Sequence, residues 1–350
     1  MSRGSSELLA GLLKDVSRSF YLTLRVLPGA IRPQIGLAYL LARASDTIAD
    51  TDAIPKAERA KALSELGQRV EQPGGASLDL GRLAGHQSSV AERVLLQRLP
   101  EALHVLARFE PADQDRIRTV LRVIMSGQAL DLERFADASL DRVAALETDA
   151  QLDDYTYRVA GCVGEFWTRM CRARLFPKEP LDDVVLLANG VRFGKGLQLV
   201  NVLRDLPADL RLGRCYLPRL ELRNAGLQPA ELLDPANEPR LRPLYDNYLN
   251  AAEEHLEAGW NYTNALPRGQ IRVRLACAWP ILIGMQTLAQ LRASQVLDPS
   301  RRIKISRQQV RGVLVRSILW CGWPERWRGL FRSAKGPAGK PLPQRGTLAK

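Results

Sequence analysis

Residues 33–50, PQIGLAYLLARASDTIAD, decide the fold class of this chain. Pro33 suits the first turn of a helix, and the residues after it continue without a helix breaker for roughly five turns. Further segments place Leu, Val and Ile at spacings of three and four: 91–109, 113–135, 153–176, 181–205, 240–266 and 271–297. Alternating segments bounded by Asn-Gly or Asp-Gly turns are essentially missing. The sequence therefore predicts an all-α protein with a single helical domain.

The charge of the chain is distributed unevenly. The 350 residues include 50 Lys and Arg against 38 Asp and Glu, a net charge of +12. Residues 301–350 hold 13 of the basic residues and one acid, Glu325, so the first 300 residues are neutral overall. With 46% hydrophobic and 25% charged residues, the chain has the composition of a globular protein. A neutral body argues against a fold-wide nucleic-acid surface, and we expect no nucleic-acid partner.

Cysteine and histidine usage limits the chemistry. The five cysteines are scattered and form no CxxC pair, and the three histidines do not fit a zinc motif. Any divalent metal must then be held by carboxylates. The N-terminus lacks a cleavable signal pattern, and no run of apolar residues is long enough to cross a bilayer. We therefore expect a cytoplasmic protein.

The first candidate site lies at the end of residues 33–50. Asp46 and Asp50 are one helical turn apart, and Tyr39 and Arg43 share their face. Two neighbouring carboxylates repel each other, and Mg²⁺ binds through one or two carboxylates together with substrate phosphates. A solvated acidic helix end is the alternative. The apolar residues around the pair favour an inward orientation, where unpaired carboxylates would be costly.

A second pair, Asp205 and Asp209, follows a similar stripe. Gln198 and Asn201 share the face of Asp205. Pro207 removes a backbone hydrogen bond, so either the helix kinks there or Asp209 lies just past its end. An arginine-rich helix terminus is the alternative. Two such pairs on facing helices, with arginines beside each, would clamp Mg²⁺ ions that bridge a diphosphate, and an aliphatic cavity would shield a carbocation.

These residues belong to longer matching segments. The chain resembles the squalene and phytoene synthases, which join prenyl diphosphates head to head in the isoprenoid synthase fold. The matching segments are residues 17–20 (SRSF), 39–43 (YLLAR), 46–50 (DTIAD), 155–164 (YTYRVAGCVG), 198–205 (QLVNVLRD) and 213–218 (GRCYLP). The resemblance, which spans residue 17 to about 320, implies one helical domain (1–320) around a central apolar cavity.

The resemblance also implies roles for single residues. Mg²⁺, or Mn²⁺ in its place, would be held by Asp46, Asp50, Asp205 and Asp209. Tyr155 would assist proton loss or stabilise a cation. Phosphate contacts would come from Arg18, Arg43 and Arg204. The remaining substrate contacts would come from Ser17, Phe20, Tyr39, Gln198, Asn201, Arg214, Tyr216, Cys277 and Pro280.

The choice within the family depends on three segments. Residues 155–164 and the basic cluster with Lys304 and Arg307 are closer to the squalene type, which uses farnesyl diphosphate and reduces the intermediate with NADPH. GRCYLP is closer to bacterial phytoene synthases, and some relatives stop at presqualene diphosphate. Ala49 stands where squalene synthases often have a third acidic residue, and Ser306 stands where a second basic residue is common. A non-catalytic helical scaffold is a further alternative, but a scaffold needs no repelling carboxylates on an apolar face.

The C-terminal end mixes basic and aromatic residues. Residues 307–332 combine arginines with Trp320, Trp323, Trp327 and Phe331, which suits the headgroup region of an anionic bilayer. A last core helix is the alternative, and both can hold in part. We expect residues 321–350 to form a basic, partly disordered tail that binds peripherally at the inner membrane face. A monomer is favoured.

Overall fold

The computed structural model describes residues 11–16, 20–72, 78–301 and 303–335. These residues are mostly helical, which confirms the all-α prediction. Residues 11–16 are helical, and the labelled helices that follow are α1 (Phe20–Val26), α2 (Arg32–Ala49), α3 (Lys56–Glu71), α4 (Gly81–Gly85), α5 (Val90–Gln97), α6 (Leu99–Leu106), α7 (Pro111–Arg134), α8 (Asp149–Thr156), α9 (Cys162–Arg174), α10 (Asp183–Arg211), α11 (Arg219–Asn224), α12 (Glu238–Ala265), α13 (Ile271–Arg292), α14 (Arg307–Trp320) and α15 (Pro324–Ala334). Short 3₁₀ turns, Pro229–Leu233 and Pro235–Asn237, precede α12.

Helix α10 is central, and it packs against α9, α12 and α13. Buried apolar side chains on either side of it form two hydrophobic clusters. One cluster is built mainly from α2, α3, α6, α7 and α9, and the other from α10, α12, α13 and the C-terminal helices. Helix α2, which carries the first aspartate pair, belongs to one cluster, and α10, which carries the second, belongs mainly to the other. The two pairs can therefore face each other where the clusters meet.

A π-helical turn, Tyr157–Gly161, joins α8 to α9 and brings the chain very close to α10. A Cβ atom at Gly194 would lie 2.0 Å from the carbonyl oxygen of Ala160, and one at Gly164 would lie 1.9 Å from that of Gly190. Only glycine allows this backbone contact. The close contact fixes the end of α8, and with it Tyr155, against α10.

Two strands of two residues, β1 (Ala144–Ala145) and β2 (Arg214–Cys215), pair in parallel. The turn before β2 depends on Gly213, which has a φ of +74° and whose Cβ would lie 2.3 Å from the backbone nitrogen of Ser139. The glycine in the GRCYLP segment is therefore required by the backbone. The pairing holds the residue after it, Arg214, beside the end of α10.

The C-terminal helix α15 belongs to the packed domain. Trp327 and Phe331 are 2% and 4% exposed and stack on Trp260, with ring centroids 5.3 and 5.7 Å apart. The Trp327 indole also donates a hydrogen bond to Asn264 Oδ1 at 2.9 Å. The domain thus extends to Ala334, beyond the boundary expected at residue 320, because these aromatic side chains bury against α12. Residues 336–350 of the expected tail lie outside the described residues.

None of the helices in the described part of the chain is both long and apolar enough to cross a membrane.

Candidate active site

A cleft of about 640 Å³ lies where α2, α7, α8, α10 and strand β2 meet. Both aspartate pairs line it, and its apolar wall includes Leu132, Phe135, Val159 and Val202. We expected a central apolar cavity from the resemblance. The cleft instead has a mixed lining, because the carboxylates and their arginines occupy much of its wall.

The first aspartate pair lies at the C-terminal end of α2. Gln128 donates its side-chain amide to Asp46 Oδ1, and Arg43 Nη1 lies 3.9 Å from Asp46 Oδ2. Arg43 also pairs with Glu92 of α5. Burial in the cleft, together with the charge of Asp50, raises the pKa of Asp46 to about 6. Burial also raises the pKa of Asp50. These carboxylates therefore lack enough compensating positive charge in the protein alone.

The second pair lies within α10, and the helix continues through Pro207 to Arg211. Pro207 cannot donate to the carbonyl of Leu203, four residues earlier. The buried Tyr245 hydroxyl donates to that carbonyl instead, at 2.8 Å. Asp209 is therefore helical, and it lines the cleft one turn after Asp205. The sequence left open whether the helix kinks at Pro207 or ends before Asp209. The observed course of α10 excludes the second alternative.

The charges around the second pair resemble those around the first. Arg204 forms two hydrogen bonds to Asp205, one of them from Nε at 2.8 Å. Burial and the neighbouring charge of Asp205 raise the pKa of Asp209 to about 7, although Arg214 and Arg204 oppose the shift. Arg214 also lies 3.5 Å from Asp52. Both carboxylates of the first pair, and Asp209 of the second, are thus poorly compensated although arginines stand beside each pair.

Tyr155 lies on α8 just before the π-helical turn. Its hydroxyl accepts a hydrogen bond from Gln198 Nε2 at 3.1 Å, and Asn201 Nδ2 lies 3.3 Å from Gln198 Oε1. Its ring stacks on Tyr216, with centroids 4.5 Å apart. Burial raises the pKa of Tyr155, so the phenol stays protonated at neutral pH. The stacked rings present aromatic surface in the same cleft as the carboxylates.

Asp131, like Asp52, is a further carboxylate of the cleft that the sequence did not point to. The Tyr216 hydroxyl lies 3.5 Å from Asp131 Oδ2, while the buried Oδ1 has no hydrogen-bond partner. Burial raises the pKa of Asp131 to about 7. The available signal was its spacing of three from Gln128, which repeats the spacing of Gln198 and Asn201 on α10.

Most of the predicted site residues meet in this cleft: Arg43, Asp46, Asp50, Tyr155, Gln198, Asn201, Arg204, Asp205, Asp209, Arg214 and Tyr216. Ser17, Arg18 and the side chain of Phe20 lie outside the described residues.

Five predicted residues do not line the cleft. Tyr39 is half-buried against the core, with its hydroxyl 3.5 Å from the carbonyl of Val16. Cys277 is 1% exposed, within the core cluster, and Pro280 lies in the same helix, α13. Lys304 and Arg307 are exposed around the start of α14. Tyr39, Cys277 and Pro280 do not line this cleft, and their contact with substrate stays a prediction.

Among the described residues, no three His, Cys, Asp or Glu side chains converge closely enough to hold a metal by themselves. This arrangement is compatible with the way Mg²⁺ is commonly bound, through one or two carboxylates with phosphate oxygens completing the coordination.

The comparisons with known proteins agree with this geometry. The sequence profile described as squalene/phytoene synthase matches residues 13–309. The chain belongs to this family. It is accordingly a prenyltransferase of the squalene/phytoene synthase type.

Individual relatives match much of the chain. A presqualene diphosphate synthase of Zymomonas mobilis is 29% identical, over 90% of this chain and 94% of its own length. A squalene synthase of Botryococcus braunii is 27% identical over 79% of this chain, which spans 56% of that relative. The solved structure of TcSQS with a ligand superposes with a TM-score of 0.74 at 22% identity, covering 95% of this chain and 98% of that one. This likeness confirms the fold.

Proposed function

We propose that the protein condenses two molecules of farnesyl diphosphate head to head, through presqualene diphosphate, and reduces this intermediate with NADPH to squalene. The observation that carries the proposal is the meeting of both aspartate pairs in one cleft with Tyr155. Paired carboxylates flanked by arginines suit a diphosphate leaving group, and the aromatic and aliphatic wall suits the cation left behind.

The residues present fit a divalent metal. Asp46 and Asp209 have pKa values raised to about 6 and 7, and Asp131 Oδ1 is buried without a partner. Buried, poorly compensated carboxylates are the oxygen ligands that Mg²⁺ or Mn²⁺ uses. Asp46, Asp50, Asp205 and Asp209 would hold the metal. When bound, it neutralises diphosphate charge and makes the diphosphate a better leaving group.

The protein's own groups then orient the reactants. Arg43, Arg204 and Arg214 stand beside the carboxylates and can contact diphosphate oxygens. Gln198 fixes the Tyr155 hydroxyl, and Tyr216 stacks on its ring. In this position the neutral Tyr155 can stabilise a cation through its ring face. It can also relay the proton lost when the cyclopropane ring closes, if its hydroxyl gives its own proton to an oxygen of the released diphosphate as it accepts the new one.

The reductive step is supported by the resemblance of the segment that contains Lys304 and Arg307. Both lie outside the cleft and would meet the NADPH phosphate at the surface. A second candidate is a synthase that releases presqualene diphosphate. It is favoured by the Zymomonas mobilis relative of that name, which matches this chain over 94% of its length.

A product assay tests the proposal. The purified protein is supplied with farnesyl or geranylgeranyl diphosphate and Mg²⁺, with and without NADPH, and the lipid is identified by mass spectrometry. We expect squalene from farnesyl diphosphate only when NADPH is present. Accumulation of presqualene diphosphate despite NADPH would support the second candidate, and phytoene from geranylgeranyl diphosphate would refute both.

Variants link the product to the cleft. Asp46→Asn and Asp205→Asn should abolish turnover while the helical circular dichroism is retained. Asp115→Asn, whose side chain is 75% exposed on α7, is the matched control and should be fully active. Loss of activity in the control, or its retention in the cleft variants, would refute the assignment.

We also propose that the protein works in the cytoplasm, peripherally at the inner membrane face.

A further inference from the structure

Helix α14 has an outer face that is unusual for a surface helix. Its Val315, Ile318 and Leu319 are 55%, 51% and 59% exposed, and Trp323, just after its end, is 57% exposed. Ser317, by contrast, is fully buried and accepts a hydrogen bond from the Trp279 indole at 2.9 Å. A surface helix normally turns apolar residues inward and polar residues outward. Helix α14 turns Val313 inward as expected, but it also turns this row of large apolar residues outward.

Three of the exposed side chains lie on one face of the helix. Residues 315, 318 and 319 follow Arg311 at intervals of four, seven and eight, which places them on one stripe of the helix. Trp323, in the turn just after the end of α14, is also exposed. Scattered apolar residues are ordinary on protein surfaces, whereas a contiguous row of large ones marks an interaction surface. We call Val315, Ile318, Leu319 and Trp323 the outer row.

The charge around the outer row indicates what covers it. Arg311 lies at its start, and the Arg326 guanidinium lies 5.3 Å from the centre of the Trp323 ring. Residues 301–335 contain ten Lys and Arg and one acid, and the sequence of 336–350 adds three basic residues and no acid. In a symmetric contact between two copies, this positive surface would face itself. An anionic lipid surface supplies the missing negative charge and an apolar layer together.

We propose that the outer row inserts into the headgroup region of an anionic bilayer and that the neighbouring arginines bind lipid phosphates. Tryptophan and arginine suit this boundary, since each has an apolar or planar body and a polar end. The proposal identifies the surface behind the peripheral location given above. It rests on the proposed function in one respect only, that a hydrocarbon product needs a membrane to receive it.

Co-sedimentation with vesicles tests the proposal on the full chain. Vesicles of phosphatidylglycerol and phosphatidylcholine in equal parts are compared with phosphatidylcholine alone at low and high salt. We expect binding to the anionic vesicles that weakens with salt. Ile318→Ser with Leu319→Ser should reduce the partition coefficient by roughly tenfold. Arg311→Gln with Arg326→Gln should reduce it by about 30-fold, from about 1 kcal/mol for each charge.

The matched control uses exposed apolar residues elsewhere. Val184 and Val185 are 78% and 53% exposed at the start of α10, and Val184→Ser with Val185→Ser should bind vesicles like the native protein. Quenching of tryptophan fluorescence by brominated lipid should decrease in Trp323→Phe. Unchanged binding or quenching in the outer-row variants would overturn the proposal. So would a dimer, seen by sedimentation velocity, that Ile318→Ser with Leu319→Ser dissociates.

Turnover in detergent micelles separates this proposal from the proposed function. The outer-row variants should keep full activity there, because their residues lie away from the cleft. Native vesicle binding without any prenyl-transfer activity would contradict the function alone, whereas full activity without vesicle binding would contradict the membrane surface alone.

Discussion

Replacing Asp209 by asparagine should stabilise the metal-free protein while it abolishes catalysis. Asp209 lines the cleft one turn after Asp205, and burial with that neighbouring charge raises its pKa from 3.8 to about 7. Asparagine has nearly the same shape but carries no charge to desolvate and none to repel Asp205. The variant therefore removes an unfavourable charge together with a predicted metal ligand.

The size of the effect follows from the shift in pKa. A shift of one pKa unit corresponds to about 1.4 kcal/mol, so a shift of about three units destabilises the charged form by at most about 4 kcal/mol. Water in the open cleft screens part of this, and we expect roughly 2 kcal/mol. At about 2 °C for each kcal/mol, the melting temperature should rise by roughly 4 °C.

The sign of the pH dependence is fixed as well. Because the folded pKa of Asp209 lies above the unfolded value, the folded protein holds the proton more tightly than the unfolded chain. Its contribution to stability is therefore lost as the pH rises from about 4 to about 7, and the loss is complete above that range. The gain in Asp209→Asn should thus grow between pH 5 and pH 7 and then level off.

Thermal unfolding followed by circular dichroism, in chelator from pH 5 to pH 8, measures the gain. Asp115→Asn, at an exposed position, is the matched control and should melt like the native protein. Mg²⁺ with inorganic diphosphate should raise the melting temperature of the native protein more than that of Asp209→Asn. A variant less stable than the native protein at pH 8, or a gain independent of pH, would refute the reasoning.

Three further substitutions test other parts of the site. Gly194→Ala should destabilise the fold by about 1–3 kcal/mol in chemical denaturation, because the new Cβ would lie 2.0 Å from a backbone oxygen. Gly85→Ala is the control and should be neutral, because a Cβ there would have no atom within 4 Å. Asp131→Asn should lower kcat roughly tenfold in initial-rate assays if this carboxylate holds Tyr216 in place; an unchanged kcat would contradict that role. Lys304→Ala should slow only the NADPH-dependent formation of squalene, and an equal loss of presqualene diphosphate formation would contradict the NADPH assignment.

The helical fold could be predicted from the sequence because its signal is local. The period of apolar residues in α2, α7, α10 and α13 is contained within each helix. The course of α10 past Pro207 could not be predicted this way. It depends on Tyr245, which lies 38 residues further along the chain and provides the hydrogen bond that Pro207 cannot. Nothing in the local sequence around Pro207 indicates that donor.

The candidate site was predictable where its residues form a regular pattern. The aspartate pairs have a spacing of one turn, and their motifs match a family. Asp131 has no second acid one helical turn away, and only the fold brings it to Tyr216. The wall residues Cys277 and Pro280 were assigned from the resemblance alone, and the packing of α13 places them outside the cleft. The aromatic residues of α15 were ambiguous because tryptophan suits both a core and a membrane interface.

The charges of the cleft explain why metal and diphosphate should bind together. Six carboxylates line one cavity, those of Asp46, Asp50, Asp52, Asp131, Asp205 and Asp209, against five basic side chains, those of Arg43, Lys56, Arg59, Arg204 and Arg214. One of the nearby arginines, Arg43, already forms an ion pair with Glu92, which belongs to neither aspartate pair. A bare diphosphate would add negative charge to this excess, and a metal held by carboxylates alone would lack ligands. Each ligand therefore supplies what the other needs, and by linkage each must raise the affinity of the other by the same factor. From the raised pKa values of Asp46, Asp50, Asp131 and Asp209 we therefore expect a site that selects the metal–diphosphate complex over either component.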